Sequence, residues 1–249
     1  MRRNSLFIGG TLALFILSAC NSNQTQKPAT PTFAVKATET TAPTDAPTAT
    51  VTSASTNDCS HGYLALTFDD GPYPGQTDEL IAALEAAHLR ATFFDWGQHI
   101  SGNTALIKAQ FANGWIGNHS WSHSDMTQLT EAQITTELSD TQNALQAITG
   151  QAPILFRPPF LKSNPTLMKV ETGLGLTEVM TTVDSKDWAG VTTDEIVSNV
   201  SLARSGDVVL MHDNLATTRA AIPRIAEFML KQNLCPGRID TTTGRAVAP

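Results

Sequence analysis

The 249-residue sequence holds no run of lysine or arginine and no basic stripe, and its 16 Lys and Arg are outnumbered by 23 Asp and Glu, for a formal charge of −7. The positive field that gathers a polyanion is therefore missing, which excludes nucleic acid as a partner. The apolar stretch from about Leu6 to Leu17 is too short to cross a bilayer comfortably, since a spanning helix needs about 20 residues. Residues 21 to 58 have almost no large apolar side chains, which excludes a packed core in that stretch. No second domain and no partner-binding helix stand out, which leaves the linker as the part expected to contact other surfaces, and a monomer is the default expectation.

What is present begins with a processing signal. Arg2 and Arg3 precede the apolar stretch, and Leu17-Ser-Ala-Cys20 follows it. This is the layout of a secretory signal peptide over residues 1–20. Its ending resembles the bacterial lipoprotein cleavage box, which implies a lipid on Cys20 as the one membrane contact; an uncleaved anchor and a twin-arginine signal are the alternatives. Thr, Ala, Pro and Ser dominate residues 21–58, the composition of a tether. The reading is of an exported protein, lipid-anchored on the outer face of the cell membrane or secreted. Of the three cysteines, Cys59 and Cys235 remain once Cys20 is set aside. In an exported chain that pair suggests a disulfide, stabilising by about 4 to 5 kcal/mol in the chain-entropy model.

Residues 59–249 read as one folded domain in which short β-type runs alternate with helical patterns. Strands are expected over Leu64–Phe68, Ala91–Asp95, Trp115–Asn118, Ile154–Phe156, Leu176–Val183 and Val208–Met211. Helices are expected over Thr77–His88, Asn103–Asn113, a segment opened by the Thr130-Glu-Ala-Gln133 capping box and stopped by Gly150, Pro165–Thr172, Asp194–Ala203 and Thr218–Gln232. Repeated βα units predict an α/β fold with a parallel sheet, open or closed, and an irregular TIM-like (β/α) barrel of about seven units is the favoured form.

The side chains capable of chemistry fall at the carboxyl ends of these strands, the face on which parallel α/β folds assemble active sites. Asp69 and Asp70 follow the first strand. Successive strand side chains point to opposite faces, so one carboxylate can hold a metal while the other acts as a base, although Asp-Gly-Pro is also ordinary turn chemistry. His119 and His123 converge on one cation if their segment makes a helical turn, and with a carboxylate such as Asp70 they leave coordination positions open, which is the logic of a catalytic metal. His212 is free to carry a proton, and Asp187 can pair with it or stand as a solvated acid. Arg157, ahead of two prolines, offers a fixed charge whose natural partner is a carboxylate such as Asp69.

Five ordered segments, Thr67-Phe-Asp-Asp-Gly-Pro72, His119-Ser-Trp-Ser-His123, Arg157-Pro-Pro-Phe160, Asp184-Ser-Lys-Asp-Trp188 and Leu210-Met-His212, resemble the motifs of the polysaccharide deacetylases of carbohydrate esterase family 4, the NodB homology domain. The resemblance covers essentially Asp58 to Pro249 and is nearest the actinobacterial acetylxylan esterases. It implies that Asp70, His119 and His123 hold one divalent ion, zinc or cobalt, and that Asp69 takes the proton of the attacking water while Arg157 orients it. It also implies that His212, tuned by Asp187, protonates the leaving group, that the Phe160 backbone N–H steadies the oxyanion, and that Trp188 and Leu210 line the acetyl groove. The implied substrate is an acetylated polysaccharide, O-acetylated xylan first and N-acetylglucosamine in peptidoglycan or chitin second. A non-catalytic glycan-binding lipoprotein is the reading from another class. The sequence departs from the family at Phe160 (usually Tyr), Leu161 (commonly Gly), Ser124 (commonly Pro) and Lys162-Ser163, where Gly-Glu is expected.

Overall fold

The computed structural model describes residues 58–249. The expected signal peptide, lipidated Cys20 and the linker up to residue 57 lie outside the described residues. Strand β1 (Tyr63–Asp69) leads through helix α1 (Gln76–Ala86) to β2 (Thr92–Asp95), the short helix α2 (Gly97–Ile100), α3 (Thr104–Asn113) and β3 (Trp115–Asn118). Helix α4 (Glu131–Thr149), β4 (Leu155–Phe156), α5 (Pro165–Gly173), β5 (Thr177–Glu178), β6 (Val183–Asp184), α6 (Thr193–Val200), β7 (Val208–His212) and α7 (Ala216–Lys231) follow. The chain closes with β8 (Cys235–Pro236), β9 (Arg238–Ile239) and β10 (Ala246–Val247).

Local chemistry sets these limits. Thr130 and Gln133 form the reciprocal cap expected at the start of α4, and Gly150, at φ 78°, ends it in the left-handed conformation that glycine adopts without a Cβ penalty. Between these ends Ile134, Leu138 and Leu145 are buried, the stripe their spacing predicts.

Seven strands pair in the order β5-β4-β3-β2-β1-β7-β6, every ladder parallel, and β8 adds a short parallel pairing to β1. Among the described residues no ladder joins β5 to β6, so the sheet curls without closing. The expected strand Leu176–Val183 is the reason. Its first part bonds to β4, with Val179 N–H donating to the Phe156 carbonyl at 2.7 Å, whereas Thr182 N–H donates to Val208 at 2.9 Å. One segment therefore crosses from one edge of the sheet to the other, and it becomes two strands of two residues instead of one of eight.

β1 shows how the fold places the site. Leu64, Leu66 and Phe68 pack outward beneath α1, α6 and α7, while Ala65, Thr67 and Asp69 point into the curl, and all six are buried. A strand buried on both faces is what a parallel sheet covered by helices requires. The inward row ends at Asp69, beside His212 of β7 in the ladder register. A disulfide joins Cys59 to Cys235, with Cα atoms 5.1 Å apart, and ties the segment ahead of β1 to β8.

Candidate active site

Asp69 is the last residue of β1 and 3% exposed. Arg157, fully buried, donates from Nη1 to Asp69 Oδ1 at 2.7 Å and to Thr67 Oγ1 at 2.6 Å; its Nε donates to the Val179 carbonyl at 3.2 Å. Its guanidinium lies over the Phe94 ring, 4.1 Å from the centroid. The cation is thus held inside the curl by aromatic and polar contacts that leave it facing one carboxylate.

Asp70 does not continue the strand. Its φ of 74° swings the side chain back, so strand alternation fails here and both carboxylates face the same imidazole. His119 Nε2 lies 4.0 Å from Asp69 Oδ2 and 3.4 Å from Asp70 Oδ1. A left-handed non-glycine residue costs about 1 to 3 kcal/mol, which the surroundings must offset. Gly71 follows because a Cβ there would stand 2.3 Å from Asp213 Oδ2.

The His119–His123 segment is not the expected helical turn. Ser120 and His123 take φ of 65° and 55° in an irregular loop. Glu137, reaching over from α4, accepts from the N–H of Trp121 and of Ser122 at 2.9 and 2.7 Å and from the Ser122 hydroxyl at 2.7 Å, replacing the bonds a helix would have made. The Asn118 side chain pins the loop start, accepting from Ser120 N–H and donating to the Leu138 carbonyl, both at 2.8 Å.

Three ligand atoms converge as a result: Asp70 Oδ1 is 3.4 Å from His119 Nε2 and 3.1 Å from His123 Nε2. His119 Nδ1 lies 2.7 Å from the Arg157 carbonyl, which can only accept, so Nδ1 carries a proton and in the neutral ring Nε2 presents a lone pair. Burial favours the neutral Asp70 carboxyl, but the two imidazoles, when protonated toward it in the metal-free site, outweigh it and hold the group well below the usual carboxylate range. Oδ1 is buried and takes no hydrogen bond among the described residues. A carboxylate oxygen facing an imidazole lone pair calls for a cation between them, and bonds of about 2.0 to 2.1 Å in tetrahedral geometry separate ligands by about 3.3 Å. The donor set fits a zinc-like divalent ion.

Across the cleft, Asp187 is fully engaged. Its Oδ1 accepts from His212 Nδ1 and from Trp188 N–H, each at 2.8 Å, and its Oδ2 accepts from His212 N–H and Thr218 Oγ1, each at 2.7 Å. Burial pulls the His212 imidazole down, and its bond to Asp187 with the charges of Asp187, Asp69 and Asp70 overrides this, lifting it to about 9. The pair stabilises the fold fully below about pH 6.5 and ceases to as pH rises through about 9. In the metal-free Asp187→Asn protein the His212 titration followed by NMR is expected to move to lower pH; an unmoved midpoint would contradict this origin of the shift.

These groups border a cleft of about 420 Å³ whose walls are largely apolar. Leu210, 6% exposed, forms its inner wall, while Trp188 at 63% and Phe160 at 60% stand at its mouth. Asp184 holds the Trp188 indole N–H at 3.3 Å. Phe160 and Leu161 are consecutive left-handed residues, φ 60° and 54°, and no backbone carbonyl among the described residues takes the Phe160 N–H. All ten expected site residues thus gather at one cleft, Arg157 and Asp187 behind it and the other eight lining it. Glu137 and Thr218 carry no motif, and Thr67 opens one with no role assigned to it; each has an ordinary residue type and acts only through a partner elsewhere in the chain.

The model of the polysaccharide deacetylase family matches residues 56–179. A family 4 carbohydrate esterase from Streptomyces lividans, solved in complex with acetate, is 50% identical and superposes with a TM-score of 0.74, covering 76% of this chain and 98% of that one. The chain belongs to the polysaccharide deacetylase family. A further family 4 structure, an acetyl xylan esterase from Clostridium thermocellum in complex with a cobalt ion, is 28% identical at a TM-score of 0.67, over 74% of this chain and 97% of its own. A bifunctional xylanase/xylan deacetylase from Cellvibrio japonicus is 40% identical over 195 residues, 78% of this chain and 29% of its own length. The chain spans about a third of the length of the curated relatives it matches first. The curled, unclosed parallel sheet is the NodB-type form of the barrel.

Proposed function

We propose that the protein hydrolyses acetyl groups from a polysaccharide, with the O-acetyl groups of xylan as first substrate, using one zinc or cobalt ion held by Asp70, His119 and His123. The observation that carries this reading is the meeting of three ligand atoms between two separately supported proton carriers, Asp69 on Arg157 and His212 on Asp187. When bound, the metal supplies Lewis acidity and makes water nucleophilic near neutral pH.

The chain's own residues do the rest. Asp69, its Oδ1 fixed by Arg157, takes the proton of the attacking water through Oδ2. The water oxygen bonds to the acetyl carbon, and the charge that gathers on the carbonyl oxygen falls to the Phe160 N–H. His212, proton on Nδ1 toward Asp187, gives up a proton from Nε2 to the sugar oxygen as the ester C–O bond breaks, leaving acetate and a free hydroxyl. Leu210 and Trp188 border a pocket suited to a methyl group. The disulfide fits the oxidising compartment of an exported enzyme, anchored through Cys20 or secreted.

Chelation of the purified full-length protein is expected to abolish acetate release from acetylated xylan, and zinc or cobalt to restore it. Release that survives complete metal removal would overturn the mechanism. N-acetylglucosamine oligomers assayed alongside give the substrate class: faster release from them than from xylan moves the assignment to an amide deacetylase. No release from either by folded, metal-loaded protein would leave the glycan-binding reading.

A further inference from the structure

Directly after β2, Trp96 and His99 touch the ligand set from behind. The His99 Nδ1 lies 2.9 Å from the backbone carbonyl of Asp70. A carbonyl has no proton to give, so Nδ1 carries it and donates. One residue on, Trp96 N–H donates to the Gly71 carbonyl at 2.8 Å. The two bonds grip consecutive peptides at the point where Asp70 turns left-handed, φ 74°, and so fix where its carboxylate points.

The same short segment reaches a second ligand through ring contacts. The Trp96 and His123 ring centroids are 5.2 Å apart, those of Trp96 and His99 4.2 Å, and those of His99 and Tyr73 4.6 Å. His99 is thus clamped between two aromatic rings, and its own carbonyl accepts from Asn103 Nδ2 at 2.8 Å, which anchors α2 to the start of α3. Neither Trp96 nor His99 is among the residues that line the cleft.

We infer that His99, with Trp96 beside it, is a positioning residue for the metal site: its Nδ1–H holds the Asp70 peptide in the one orientation that brings Oδ1 onto the imidazoles of His119 and His123. The inference rests on the reading that these three residues bind the ion. Partners that orient metal ligands are commonly worth 10- to 100-fold in metal affinity. Removing this donor should weaken binding on that scale while leaving the three ligands in the chain.

The test is calorimetric titration of zinc into the metal-free full-length protein and two variants. His99→Phe keeps an aromatic ring between Tyr73 and Trp96 but has no N–H; His99→Asn places an amide N–H where Nδ1–H stands. The zinc dissociation constant should rise at least about 10-fold in His99→Phe and return to within about 3-fold of wild type in His99→Asn. If His99→Phe does not fold, His99→Leu takes its place as the variant without a donor. Equal affinity in wild type and the donor-free variant overturns the inference, and so does an Asn variant as weak as the Phe variant. Wild-type protein that takes up no zinc overturns the metal reading, and this inference falls with it.

Discussion

Replacing Asp69 by Asn is expected to lower kcat for acetate release by about 10²- to 10⁴-fold while the protein keeps its fold and its metal. The substitution preserves shape and leaves Oδ1 as an acceptor for the Arg157 Nη1 now 2.7 Å away. What disappears is a carboxylate able to take a proton from the nucleophile. Asp69 Oδ2 stands 4.0 Å from His119 Nε2 and is not one of the three converging ligand atoms, so zinc content should stay at one ion per chain. Steady-state acetate release and elemental analysis on the same sample separate the two effects. A variant within about 10-fold of wild type in kcat would remove Asp69 from the base role, and one that had lost its metal would assign it to the ligand set.

The second large effect concerns stability. Arg157→Met should destabilise the protein by about 3 to 5 kcal/mol, read from urea denaturation at neutral pH. Methionine fills part of the space and keeps contact with Phe94, so the loss stems mainly from polar groups stripped of their partner. Asp69, 3% exposed, would lose the guanidinium its carboxyl group faces, and the Thr67 hydroxyl and Val179 carbonyl would each lose a donor. Adding Asp69→Leu removes the stranded carboxyl group and should restore much of the lost stability, because a buried ion pair replaced by apolar groups is often neutral. A single variant within about 1 kcal/mol of wild type, or a double variant no better than the single, would contradict this account.

The chemistry was legible in the sequence because each reactive side chain sits just past a short apolar run, and in a parallel sheet those positions share one face. Asp69, Asp70, His119, Arg157, Asp187 and His212 could be gathered on that ground alone. Strand periodicity misled where the backbone leaves the strand: alternation sends Asp69 and Asp70 apart, yet the left-handed turn at Asp70 brings them together. Spacing likewise suggested a helical turn for His119 and His123, because an i, i+4 pair says nothing of Glu137, which supplies the loop's acceptors from α4. The stretch Leu176–Val183 read as one strand because its composition cannot tell that its two halves bond to opposite edges of the sheet. Trp96 and His99 resemble ordinary half-buried aromatic residues until their contacts with Asp70 and His123 are seen.

The covalent bond between Cys59 and Cys235 encloses 176 residues' worth of chain, and every residue of the site falls inside that ring. A protease that cuts one surface loop within it yields two fragments that remain one molecule. Such a nicked enzyme would run as a single band on a non-reducing gel and as two after reduction. Its pieces, unable to diffuse apart, retain the chance to keep the sheet and the site assembled, a form of tolerance to backbone damage.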